Sequence, residues 1–146
     1  MSAPTPIDHL KAGSEILLRV LEPYGFSFNQ GATGVGSGGG FASGTFVRGD
    51  RIIEVHFRYS LGLVSYRIGE AVIDHENYLR FAGYWSERRY PGFSSTPMDG
   101  FTALAHDLSA FFTDFMTGTG EQFKGVVAAY AANPSRYKGF SALGRK

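Results

Sequence analysis

The stretch FASGTFVRGDRIIEVHFRYSLGLVSYRI, residues 41–68, decides the fold. Gly49-Asp50 suits a two-residue hairpin turn with glycine first. Pairing outward from that turn sets Phe46 opposite Ile53, Gly44 opposite Val55 and Ala42 opposite Phe57. A second turn around Leu61-Gly62 then sets Tyr59 opposite Val64, Phe57 opposite Tyr66 and Val55 opposite Ile68. Both hairpins put the same middle-strand residues on the apolar face, an agreement that a one-residue slip would destroy. Gly44 and Ala42 are small, as the approach of a helix would require.

Upstream, Phe26 and Phe28 supply a fourth strand, followed by a Gly-rich segment, residues 31–40. Thr5-Pro6-Ile7-Asp8 and Thr96-Pro97-Met98-Asp99 each offer a Thr cap, a first-turn proline and an acidic residue near the positive helix end. The first predicts a helix from Pro6 to about Glu22, with Ile7, Leu10, Leu17, Leu18 and Leu21 inward and Ile16 and Val20 beside them. The second predicts a long helix ending near Gly118 and Gly120. Its apolar face carries Phe101, Leu104, Ala105, Leu108, Phe111, Phe112 and Phe115. A short helix begins at Asp74, stapled by Ile73 and Tyr78 and ended by Gly83. A last helix covers Glu121 to Ala132, with Phe123, Val126, Val127 and Tyr130 inward. The expected architecture is α+β, an antiparallel sheet of about four strands with helices packed on one face, in the order α-β-β-β-β-α-α-α. One domain is expected over 1–134, with a basic tail over 135–146.

Composition sets limits on function. Hydrophobic residues are 43% of the 146 and charged residues 18%, so the chain can bury a core. Fourteen basic against thirteen acidic residues leave a net charge of +1, too little to draw in nucleic acid or an anionic membrane. With no cysteine there is no disulfide framework, thiolate zinc site or cysteine nucleophile. No signal-peptide pattern or run of about 18 apolar residues appears, so a cytoplasmic protein without membrane contact is expected.

Three places could carry function. Gly34, Gly36 and Gly39 match G-x-G-x-x-G, but a strand follows where phosphate binding needs a helix N-terminus. The segment reads as a connector, or as a lid over a ligand. The outer face of the sheet should carry Glu54, His56, Arg58 and Arg67, with His56 across from Arg67 and Glu54 diagonal to it. Thr45, Ser65, Val47, Ile52 and Leu63 share that face. It reads either as a solvated surface of weak pairs or as a mixed aliphatic and Arg/His interface. The loop Tyr84-Trp85-Ser86-Glu87-Arg88-Arg89-Tyr90 could present Trp85, Arg88 and Arg89 as anchors, or fold its rings back with the arginines over them. His9, His56, His75 and His106 show no metal-ligand spacing, and His75 and Glu76 should point apart on a helix. No catalytic residue, metal or cofactor is nominated.

Arg48-Gly49-Asp50-Arg51, the segment from Glu54 to Val64 and His75-Glu76-Asn77-Tyr78-Leu79 resemble segments of small uncharacterised bacterial α+β proteins, some grouped with toxin-immunity proteins. The resemblance covers about a quarter of the chain and implies no site. It implies a bacterial origin and a non-catalytic role. The mixed outer sheet face, the Trp85 loop and the lack of a catalytic signature point to a protein-binding or inhibitory module whose partner is another protein or a homodimer mate, and the near-zero net charge to no nucleic acid. The alternative is a small-ligand binder or hydrolase using the outer sheet face under the Gly-rich segment, with Glu54, His56 and Arg67 as its polar groups.

Overall fold

The first helix start behaves as its residue types require. In the structure, a computed structural model describing residues 5–36, 39–90, 96 and 98–136, helix α1 spans Pro6–Leu21. The Thr5 hydroxyl accepts the Asp8 N–H and the Asp8 carboxylate accepts the Thr5 N–H at 2.9 Å, a reciprocal capping box. Those bonds hold the Asp8 carboxyl below its usual pKa. Leu10, Gly13, Ser14, Leu17 and Leu21 are its buried stripe.

Five strands follow: β1 Ser27–Gly36, β2 Gly39–Arg48, β3 Arg51–Phe57, β4 Leu61–Ile68 and β5 Ala71–Asp74. They form one antiparallel sheet in chain order. The β2–β3 register is as expected, with Phe46 opposite Ile53, Gly44 opposite Val55 and Ala42 opposite Phe57. Gly49 takes the left-handed φ of +58° that the turn demands.

The second hairpin departs from expectation. Val55 faces Val64 rather than Ile68, Ile53 faces Tyr66, and a bulge brings Leu61 opposite Phe57. The physical reason is Leu61. In the expected register it tips a turn, but it is fully buried, and a tight turn at Arg58–Ser60 draws β4 back by four residues along Val55. An even shift keeps every side chain on its face, so Val64, Tyr66 and Ile68 still point inward. The sheet has a fifth strand, β5, absent from the expectation, which turns off Gly69 (φ +60°) just as β3 turns off Gly49.

The Gly-rich segment is not a free connector. Residues 31–36 and 39–40 continue β1 and β2, with Gly34 opposite Phe41 and Gly36 opposite Gly39. The register shifts between Gln30 and Thr33, where the Ser43 hydroxyl takes the Ala32 N–H at 3.0 Å. The space over Gly44 is filled by the Phe28 ring from β1, not by a helix.

Asp74 caps helix α2, His75–Ala82, by accepting the Asn77 N–H, and Gly83 ends it in the left-handed region. Ile73 and Tyr78 are both buried at the staple positions. The expected long helix is two helices. α3, Asp99–Phe111, begins three residues after Thr96 with no side-chain cap, and α4, Thr113–Thr117, follows a turn at Phe112. That turn seats the Phe112 ring 4.3 Å from both Tyr66 and Tyr78. Phe111 is left half-buried against Tyr84. α5, Glu121–Ala132, has the expected bounds. The Asp114 carboxylate of α4 caps it by accepting the N–H groups of Gly120 and Phe123. From the β2–β3 turn, Arg51 donates to the carbonyls of Asp114 and Phe115, and Arg48 to that of Met116. Cations thus satisfy the C-terminal carbonyls of α4.

Ring contacts place α1, α3 and α4 on the same side of the sheet: His9 and Phe101 stack on Phe57, and Phe112 and Phe115 pack on Tyr66. Gly13 lets α1 and α3 touch, because a Cβ there would overlap the Phe101 ring. Of the expected tail, Ser135 and Arg136 are exposed and residues 137–146 lie outside the described ones, as does Pro97. Among the described residues no helix is long and apolar enough to cross a membrane.

Candidate functional site

The alternation of β3 and β4 leaves Glu54, His56, Leu63 and Arg67 exposed on the outer face, and β5 adds Val72. The expected pairing of His56 with Arg67 does not occur. Ile52 faces Arg67 and Ser43 faces His56, because β4 is drawn back as described. His56 instead has Glu54 3.6 Å away on its own strand, both side chains about half exposed. Such a pair contributes little to stability. Arg58 is exposed with its guanidinium over the Phe41 ring. Val47 and Ile52 are half-buried, while Leu63 is 62% and Val72 39% exposed. The face is a mixed aliphatic and charged surface with nothing from this chain's described residues laid over its centre.

The Trp85 loop folds back. Trp85 opens a short 3-10 turn, and the guanidinium carbons of Arg80 and Arg88 lie 4.1 and 3.7 Å from its ring. Arg88 also donates to the Trp85 carbonyl at 3.0 Å, and Arg80 pairs with Glu76 at 3.0 Å. Trp85 and Arg88 are therefore engaged with each other rather than presented as separate anchors. Arg89 keeps its side chain in solvent, and its backbone N–H leads to the buried centre of the molecule.

That centre is Asp107, fully buried on α3. Its Oδ2 accepts His75 Nε2–H at 3.1 Å and the Tyr90 N–H at 2.9 Å. Its Oδ1 accepts the Arg89 N–H at 2.9 Å and His106 Nδ1–H at 3.1 Å. Burial pushes the carboxyl pKa up, but these four bonds outweigh it and hold the group below the usual carboxylate range. Burial, reinforced by the Asp107 charge, keeps Tyr66 protonated far above its usual range. The Tyr66 hydroxyl lies 2.7 Å from His75 Nδ1, so a Tyr66–His75–Asp107 hydrogen-bonded chain runs through the core. Both ring nitrogens are occupied by partners within the core. The sequence reading missed this cluster, although Asp107 sits on the apolar stripe between Leu104 and Leu108. A carboxylate there signals a paired, buried charge.

Beside His75 lies a cavity of about 200 Å³, open at the end of the outer sheet face. Leu63 and Val64 of β4 line it together with Trp85 and Tyr90. Asp74 and Glu76 stand at the start of α2, and the Tyr90 hydroxyl bonds the carbonyls of Leu61 and Gly62. Two further depressions mark the sheet face itself, one of about 200 Å³ along Thr45, Ile52, Ser65 and Arg67 and one of about 170 Å³ beside His56 and Arg58. Among the described residues no three His, Asp or Glu side chains are grouped to hold a metal ion. No protein-family model, curated protein or solved structure matches the chain.

Proposed function

We propose that the protein is a non-catalytic binding module that acts through contacts to another protein, as an inhibitory or immunity-like module does, with the outer sheet face as its contact surface. The observation that carries this reading is the exposure of Leu63 and Val72, 62% and 39%, among Glu54, His56 and Arg67 on that face. Protein interfaces combine apolar contacts with arginine in this way. The occupied nitrogens of His75 support a non-catalytic role. The compartment that fits is the cytoplasm.

The test compares wild type with Leu63→Asp combined with Val72→Lys. Melting curves, light scattering after size exclusion, and affinity capture from a lysate of the source organism are measured together. An unchanged melting temperature with loss of a wild-type partner, or of a homodimer, supports the face as the surface. Identical assembly and capture by both proteins removes it.

A further inference from the structure

We infer that the cavity beside His75 receives one aromatic side chain of the partner, a phenol or indole whose O–H or N–H meets the Asp74 carboxylate. This deepens the binding-module reading and rests on it.

Size comes first. A dry cavity of about 150 Å³ holds a benzene ring, so about 200 Å³ suits a single substituted ring rather than a nucleotide or a peptide segment. The walls match that occupant. Leu63, 62% exposed, offers an aliphatic surface and Trp85 an aromatic one, while Val64, His75 and Tyr90 are almost fully buried, the last two with rings edge to face at 5.4 Å. Rings packed edge to face or offset gain beyond their buried area.

The polar groups narrow the choice. The nitrogens of His75 and the proton of the Tyr90 hydroxyl already have partners. Glu76 is paired with Arg80. Asp74 uses one oxygen for the Asn77 N–H and the other for the Asn77 side-chain amide, about half the lone-pair sites of a carboxylate. It lines the cavity with acceptor capacity left over, which selects a ring bearing a donor.

Position ties the cavity to the outer face. Asp74 lies opposite Ser65 and Val72 opposite Arg67, and Leu63 belongs to both the exposed face and the cavity wall. A partner lying on the face can lower an aromatic anchor past Leu63, where interface energy concentrates in a desolvated pocket.

The probes are p-cresol, toluene and n-butylammonium, titrated into the nitrogen-15-labelled full chain. Trp85 is the only tryptophan, so its indole N–H gives one unambiguous signal. p-Cresol should produce saturable shifts at millimolar concentration, confined to Gly62, Leu63, Val64, His75 and Trp85. Asp74→Ser keeps a capping hydroxyl for α2 and shortens the acceptor. It should raise the Kd for p-cresol about tenfold and leave toluene unchanged. No saturable shift with p-cresol overturns the inference, as does tighter binding of n-butylammonium, which would mean a cationic anchor. Saturable p-cresol binding with partner capture indifferent to Leu63→Asp/Val72→Lys overturns the protein source of the ring and the binding-module reading together. Failure of p-cresol with capture still sensitive to that variant overturns this inference alone.

Discussion

Asp107 and His75 stand 32 residues apart in the chain and 3.1 Å apart in space, with the carboxylate sealed from solvent. The contact joins the first turn of α2 to the middle of α3. Through the Arg89 and Tyr90 amides it also fixes the loop that closes the cavity. Asp107→Ala leaves two backbone N–H groups, His75 Nε2 and His106 Nδ1 without their partner. It should cost about 3–5 kcal/mol in urea unfolding, and Asp107→Asn, with a single acceptor oxygen, nearly as much.

The same carboxylate sets an acid limit. Its folded pKa lies below the unfolded value of about 3.9, so the unfolded chain binds more protons across that interval. Stability from Asp107 is complete above the unfolded pKa and is lost as pH falls through the folded one. Urea midpoints should decline below about pH 4 in wild type, with a shallower decline in Asp107→Asn.

Three tyrosines set an alkaline limit. Burial raises Tyr66, Tyr78 and Tyr90, with Tyr78 at about 12. The folded state keeps these protons when an unfolded chain begins to release them near pH 10, so stability falls as pH rises past about 10. Of the eight tyrosines, those three should ionise together with unfolding in a spectrophotometric titration, after the rest.

Burial separates neighbours on α3 and on the sheet. Leu108→Ala, at a fully buried site, should cost about 2–5 kcal/mol, and Phe111→Ala, half-buried on Tyr84, clearly less. His56→Ala with Arg67→Ala should stay within about 1 kcal/mol, while Phe57→Ala costs about 3–5 kcal/mol. Urea midpoints for the four variants decide; strong unfolding of the polar double variant would place that face inside the monomer.

Gly13 inverts a familiar sign. Alanine in a helix interior ordinarily gains about 1 kcal/mol over glycine. Here the added methyl meets the buried Phe101 ring, so Gly13→Ala should lower the melting midpoint by the equivalent of about 1–3 kcal/mol.

What could be read from the sequence was whatever local chemistry decides. Thr5, Asp74, Gly49 and Gly83 mark their elements because caps and turns act within a few residues. The pairing of β3 with β4 could not be read so directly. Two even registers bury the same face, and only the burial of Leu61 separates them. β5 was signalled by Gly69-Glu70, which repeats the Gly49-Asp50 pattern, but its four residues merged with the start of α2. His56 and Arg67 were placed on the correct face and in the wrong partnership. The Asp107 cluster assembles side chains from β4, α2 and α3 with amides of the 84–90 loop, which no spacing rule links.

The clasp between Gly13 and Phe101 also has a consequence for biosynthesis. Sheet neighbours are chain neighbours throughout, so each hairpin can close as soon as it is made. Helix α1 is made first, yet its partner ring lies 88 positions later, from residue 13 to residue 101. At about 5–20 residues per second that is an interval of about 4–18 s. Throughout it the nascent chain carries the α3-facing side of α1 uncovered, and only the emergence of Phe101 closes it.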